Sequence, residues 1–103
     1  MKVVWSLEAH DQLRQTADFI ESKFGDKAKI VFLDDLYHVV SLMEGFPHLG
    51  KEEPLLEGAS VVYRSMIIGR LNKVVYYVNN DAIEVVALWD TRREPRKLTE
   101  GLE

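Results

Sequence analysis

The chain opens on "KVVWS", a short run of β-branched and aromatic residues followed by a serine placed to cap a helix, an order that predicts a strand and then a helix. Beyond it Ala9, Leu13, Ala17, Ile20 and Phe24 recur at steps of four, four, three and four, the spacing of one face of an amphipathic helix. Gly25 supplies a stop and Asp26 a fresh N-cap, so "FGDK" predicts a tight joint between two helices. A second rhythm runs from Lys27 to Glu44 and ends at Gly45. In it Phe32, Leu36, Val39 and Met43 form one stripe, with Leu33, Tyr37 and Val40 beside it. A face that broad predicts cover on more than one side, by a sheet and by either the first helix or another chain.

The pattern then changes. "GFPHLGKEEPLLEGAS" carries two prolines and three glycines, which predicts a connection that is neither helix nor central strand. Three runs rich in Val, Ile and Tyr follow, "SVVYRSMII", "KVVYYVN" and "AIEVVALWD", separated by the turn chemistry of "GRLN" and "NND". Short links between successive runs predict an antiparallel meander. Trp89 alternates with Ala87, Val85 and Ile83 and reads as a core residue, as does Trp5. The order is β-α-α-β-β-β, an α+β domain with a helical hairpin packed on a small, mostly antiparallel sheet.

Composition narrows the setting. With 103 residues, 47% of them hydrophobic, the chain has room for one domain, taken as residues 1–101. A chain of this size buries ~65% of its unfolded surface, so a partner or a second copy that covers more apolar area, a homodimer included, is expected. Leu102 and Glu103 read as a scar of the kind left ahead of a purification tag. The absence of cysteine removes disulfides and thiolate metal sites and makes a reducing cytoplasm the expected compartment. "MKVVWSLEAHDQ" is too short in apolar length for a signal peptide, and no segment approaches the ~18 apolar residues of a membrane span, so no membrane partner is expected.

Lys and Arg number 13 against 17 Asp and Glu, a net charge of −4, so any binding of phosphate must be local. The charges are segregated. Glu8, Asp11, Asp18, Glu21, Asp26, Asp34 and Asp35 load the first third with acid, whereas Arg92, Arg93, Arg96 and Lys97 crowd the end of "VVALWDTRREPRKL". Three isolated histidines, His10, His38 and His48, offer no ligand spacing for a metal and read as surface or packing residues. "LGKEEPLLEG" lacks the Lys-Ser/Thr ending of a phosphate-binding loop.

Taken in order, "VVWSLEAHDQLRQTADFIE", "FPHLG", "YRSMIIGRLNKVVYYV" and "IEVVALWDTRREP" resemble the RelE/ParE superfamily, the toxins of bacterial type II toxin–antitoxin modules, often labelled plasmid-stabilisation proteins. The resemblance spans nearly the whole chain. It implies a cytoplasmic growth-inhibiting toxin without a cofactor, neutralised by a cognate antitoxin whose amphipathic helix or strand lies over an apolar groove. It also implies one of two targets, mRNA in the ribosome for one branch and DNA gyrase for the other.

Cutting RNA needs a base for the 2′-OH, an acid for the leaving oxygen and fixed positive charge around the phosphate. By resemblance, Arg64 falls on the strand position where nuclease-branch members place an arginine, Arg70 and Lys73 lie in or beside the next turn, and Arg92 and Arg93 follow the last strand. Arg64, Arg92 and Arg93 are therefore the candidates for catalysis, and Arg64, Arg70, Lys73, Asp90, Arg92 and Arg93 for binding the target or the antitoxin. The proton-transfer partner is missing: Asp90 stands where relatives often carry His, and no Tyr follows it. An Asp with an ordinary pKa near ~4 cannot donate a proton at neutral pH and repels phosphate. The expectation is therefore a ParE-like toxin that binds a target such as gyrase. The alternatives are a RelE-like, metal-independent endoribonuclease and a non-toxic remnant that only folds and dimerises. Alternation along a continuing strand would send Arg92 and Arg93 to opposite faces, one anchoring an acidic group and the other free.

Overall fold

The structure is a computed structural model that describes residues 1–93 and 96–98. Strand β1 (Lys2–Trp5) leads through Ser6 into helix α1 (Leu7–Phe24), and the Ser6 hydroxyl accepts the Ala9 N–H at 3.0 Å, the expected N-cap. Gly25 ends α1 at φ 95°, a backbone region open to glycine and strained for other residues, and its N–H donates to the Glu21 carbonyl. Helix α2 (Asp26–Gly45) follows at once. Asp26 is its first helical residue and not its cap: that position belongs to Gly25, and no side chain caps the helix.

The connection predicted to lack a central strand contributes a two-residue edge strand, β2 (Lys51–Glu52), and a 3₁₀ turn at Pro54–Leu56, opened by the Glu53 carboxylate accepting the Leu55 N–H. Strands β3 (Tyr63–Ile68), β4 (Asn72–Asn79) and β5 (Ala82–Asp90) complete a five-stranded sheet in the order β1-β5-β4-β3-β2. β3, β4 and β5 form the expected meander, and β1 joins β5 in parallel. The first strand of the meander begins at Tyr63; residues 60–62, expected within it, are not in the strand.

Both helices lie on one face of the sheet. Ala9 of α1 and Phe32, Leu36, Val39 and Met43 of α2 meet Ile68, Val74, Tyr76, Ile83, Val85 and Leu88 in the main core, with Trp5, Leu13 and Ile20 packed against it. Phe24, expected on that face, stands exposed at the hairpin tip. Of the two covers expected for the second stripe of α2, the first helix or another chain, α1 is not the one, because Leu33 and Tyr37 remain exposed.

The opposite face carries a smaller cluster, in which Val75, Ala87 and Trp89 are covered by Leu56 of the 3₁₀ turn and by Leu98. Trp89 is buried as expected, but not beside Ile83 and Val85. Val75 pairs with Ala87 while Tyr76 pairs with Val85, so Val86 is an extra residue in β5. This bulge resets the alternation and turns Ala87 and Trp89 to the far side, away from the helices.

Candidate functional site

The six residues singled out by sequence do not converge. Arg64 lies on the helix side of β3, paired across the ladder with Tyr76. Four residues further on, Ile68 faces Asn72, which in turn faces Asp90. At ~3.3 Å per residue and ~4.8 Å per strand, Arg64 therefore stands roughly 16 Å from the exit of β5. Its guanidinium is engaged locally, donating to the carbonyls of Gly50 at 2.9 Å and His48 at 3.3 Å. Tyr76 completes the same device from the core. Its hydroxyl donates to the Pro47 carbonyl and accepts the Gly50 N–H, both at 2.9 Å. A Cβ on Gly50 would stand 2.5 Å from that hydroxyl oxygen, which is the physical reason for glycine in "FPHLG". Burial pushes the Tyr76 hydroxyl above its ordinary pKa, against the Gly50 N–H and the Arg64 charge, so it stays a neutral donor.

Lys73 lies on the other face, opposite Trp89 in the ladder, and its ammonium is paired with the carboxylate of Glu53, which is only 4% exposed. Burial raises the pKa of Glu53, but the hydrogen bond from Lys73, the Leu55 N–H, the Lys73 charge and Ser65 together outweigh it and hold the carboxyl below its ordinary range. The lysine is a structural counter-ion.

The exit of β5 is a folded corner and not a continuing strand. The Thr91 N–H and hydroxyl both donate to the Leu71 carbonyl, at 2.7 and 3.0 Å, and the Arg93 N–H donates to the Asp90 carbonyl at 3.0 Å. Arg92 therefore turns back on Asp90 in a bidentate pair, Nε to Oδ1 at 3.0 Å and Nη2 to Oδ2 at 2.7 Å, and its backbone N–H adds a third bond. The Arg92 hydrogen bonds hold the Asp90 carboxyl below its ordinary pKa, with Arg93 contributing charge, so the expected repulsion of phosphate by Asp90 is cancelled by Arg92. Arg93 lies over the Trp89 ring, 4.4 Å from its centroid. Neither arginine points inward, because the strand ends at Asp90. Leu102 and Glu103, read from the sequence as a scar, lie outside the described residues.

Four of the six candidates, Arg70, Asp90, Arg92 and Arg93, do meet, on the rim of an open cleft of roughly 860 Å³ between the hairpin and the end of the sheet. Its walls are apolar: Phe19 and Phe24 of α1, Val31 and Phe32 of α2, and Ile68 and Leu71 at the β3–β4 turn. Lys23 adds a further cation, and Asp35 an anion. The arrangement suits an extended or helical partner that carries both apolar and acidic side chains. Sequence reasoning missed Phe19 and Val31, which stand off the core stripe of their helices. Gln12 was also missed. Its side-chain oxygen accepts the Leu88 N–H at 2.9 Å, beyond the point where β1 stops pairing with β5. Their exposed apolar character was the one available signal for the first two, and Gln12 gave none.

A family model described as the ParE toxin of the type II toxin–antitoxin system parDE matches residues 3–95. Among solved structures, the chromosomal ParDE system of P. aeruginosa superposes with a TM-score of 0.72 at 15% identity, over 89% of this chain and 97% of that one. A YoeB/ParE toxin from Agrobacterium tumefaciens gives 0.60 at 24% identity, over 87% and 98%. The YoeB dimer of Staphylococcus aureus gives 0.58 at 16%, over 84% and 92%. No curated protein sequence matches the chain. The structural likenesses establish the fold, and the family match across nearly the whole chain establishes membership: this protein belongs to the ParE toxin family of type II toxin–antitoxin systems.

Proposed function

We propose that this toxin inhibits growth in the cytoplasm by binding a macromolecular target such as DNA gyrase, and that it does not cut RNA. The observation that carries this reading is where the cations go. Among the described residues, Lys73 is held by a buried carboxylate, Arg64 by two backbone carbonyls, and Arg92 by Asp90. They are spread over two faces of the sheet, so no set of them surrounds one phosphate. A phosphoryl-transfer site also requires an acid and a base within hydrogen-bond reach of the reacting oxygens. Tyr76 is buried and committed to the loop, and no Tyr or His follows Asp90. Arg70 and Arg93, beside the apolar cleft, are better placed to dock a protein surface than to stabilise a transition state.

The same cleft is the proposed seat of the cognate antitoxin, supported by its apolar walls and its excess of positive charge. Occupation there would mask Arg70 and Arg93, so that neutralisation and target binding compete for one surface. Pulse labelling after induction tests the reading. DNA synthesis is expected to fall before protein synthesis, and the purified chain is expected to block supercoiling by gyrase. Early arrest of protein synthesis, with mRNA cut at ribosomal A sites, would establish the nuclease alternative, and unimpaired growth would establish the remnant.

A further inference from the structure

We infer that the chain pairs with a second copy of itself through the outer face of α2, independently of the cleft and of the toxin reading. Helix α2 carries two apolar stripes of the same kind. Phe32, Leu36, Val39 and Met43, at steps of four, three and four, are buried on the sheet. Ile30, Leu33, Tyr37 and Val40, at steps of three, four and three, repeat the 3.5-residue spacing of a helix–helix seam. Among the described residues no helix covers this stripe: Ile30, Leu33 and Tyr37 are 58%, 36% and 77% exposed, and Val40 is half-buried at the edge of the main core.

The charges identify the occupant. Lys27 and Lys29 sit near the N-terminus of α2, outnumbering Asp26, while Glu44 sits at the C-terminus, with no basic residue in the last turn. For Lys27, Lys29 and Glu44 this is the reverse of what the helix dipole favours. Although the Met1 ammonium donates to the Glu44 backbone carbonyl at 3.0 Å and Asp26 stands in the first turn, the Glu44 carboxylate takes part in none of the ion pairs seen among the described residues. An antiparallel copy gives the Glu44 carboxylate a cation, because the Lys29 and Glu44 side chains are of opposite sign and a two-fold axis brings them together. With the axis near Tyr37, Leu33 meets Val40 of the second copy, the two Tyr37 rings stack beside the axis, and Lys29 reaches Glu44 of the second copy. Lys29 already holds Glu21 of its own α1, but only at 3.5 Å and at the surface, which leaves it able to share.

Sedimentation of the full chain is expected to show a monomer–dimer equilibrium. Tyr37→Glu should weaken it by about 100-fold, as expected of a central aromatic anchor, without changing the melting temperature of the monomer, since the side chain is exposed. Lys29→Glu should weaken the dimer, and adding Glu44→Lys in the same chain should restore it, an outcome that general loss of stability cannot produce. Because the chain has no cysteine, Tyr37→Cys should crosslink to itself under mild oxidation whereas Phe19→Cys, in the cleft, should not. A monomer at every concentration, a dimer indifferent to Tyr37→Glu, or faster crosslinking through position 19 would overturn the proposal.

Discussion

The two faces of the sheet are held by different means. On the helix side, two long amphipathic helices lay a stripe of Phe, Leu, Val and Met across Val74, Tyr76, Ile83, Val85 and Leu88, so many contacts share the work and each is backed by its neighbours. On the far side, Val75, Ala87 and Trp89 are covered by single residues, Leu56 from a 3₁₀ turn and Leu98 after the corner, and the Lys73–Glu53 pair is buried beside them. Helix packing gives redundancy. The far face depends on a few contacts, one of them ionic, and is therefore the more sensitive to single substitutions that remove a partner.

That contrast can be broken by experiment. The largest loss of stability is expected for Lys73→Met, about 3–5 kcal/mol in denaturant titration, because it strands a buried carboxylate; replacing both partners, Glu53→Leu with Lys73→Met, should recover most of it. The pH dependence follows. Glu53 has a lowered pKa when folded, so its contribution is present above the unfolded value near 4.5 and is lost as pH falls through the folded value below it. Lys73→Met removes two of the four interactions that outweigh burial, leaving the Leu55 N–H and Ser65, and should move that loss to higher pH. Leu98→Ala, which removes one of the two residues covering the far face, should cost about 2–5 kcal/mol, and Met43→Ala on the helix side, where neighbours share the work, no more than that; a clearly larger loss at Met43 would refute the contrast.

Tyr76→Phe is expected to cost about 1–3 kcal/mol by leaving the Gly50 N–H without its acceptor, with faster amide exchange confined to residues 46–50. The smallest structural effect is expected for Arg92→Ala with Arg93→Ala. Both side chains are at the surface, so the melting temperature should stay within a few degrees while toxicity is abolished. Unfolding by this pair would show that the corner is structural, and an unchanged toxin would leave it as solvated surface.

The sequence disclosed the helices well, because four or five apolar residues at 3.6-residue spacing reinforce one another, and Gly25 could be read as a stop from its chemistry alone. It disclosed the meander for the same reason. What it hid was set by single residues. Val86 adds one position to β5 without any change of composition, and every facing assignment beyond it inverts, Trp89 included. Lys51 and Glu52 pair with β3 in a stretch whose prolines and glycines argue against a strand. Of the site, four of the six candidates meet at the cleft rim, whereas Arg64 and Lys73 were grouped with them by resemblance, which fixes neither how far along the sheet a side chain lies nor which partner holds it. Glu53, the partner that neutralises Lys73, lies 20 residues away and gave no local signal.

The bulge at Val86 also makes the strand a kind of vernier. Upstream of it β5 is phased to the helices, and downstream the phase is offset by one residue, which is what delivers Leu88 to the core and Asp90 to the cleft while Trp89 supports Arg93 from the other side. Losing that one codon would join Val85 to Ala87 in unbroken alternation, with Tyr76–Val85 and Val75–Ala87 still paired and both sides of the corner kept. In a scaffold of this size, then, the corner can absorb a change in length at Val86 without turning the surface offered to a partner.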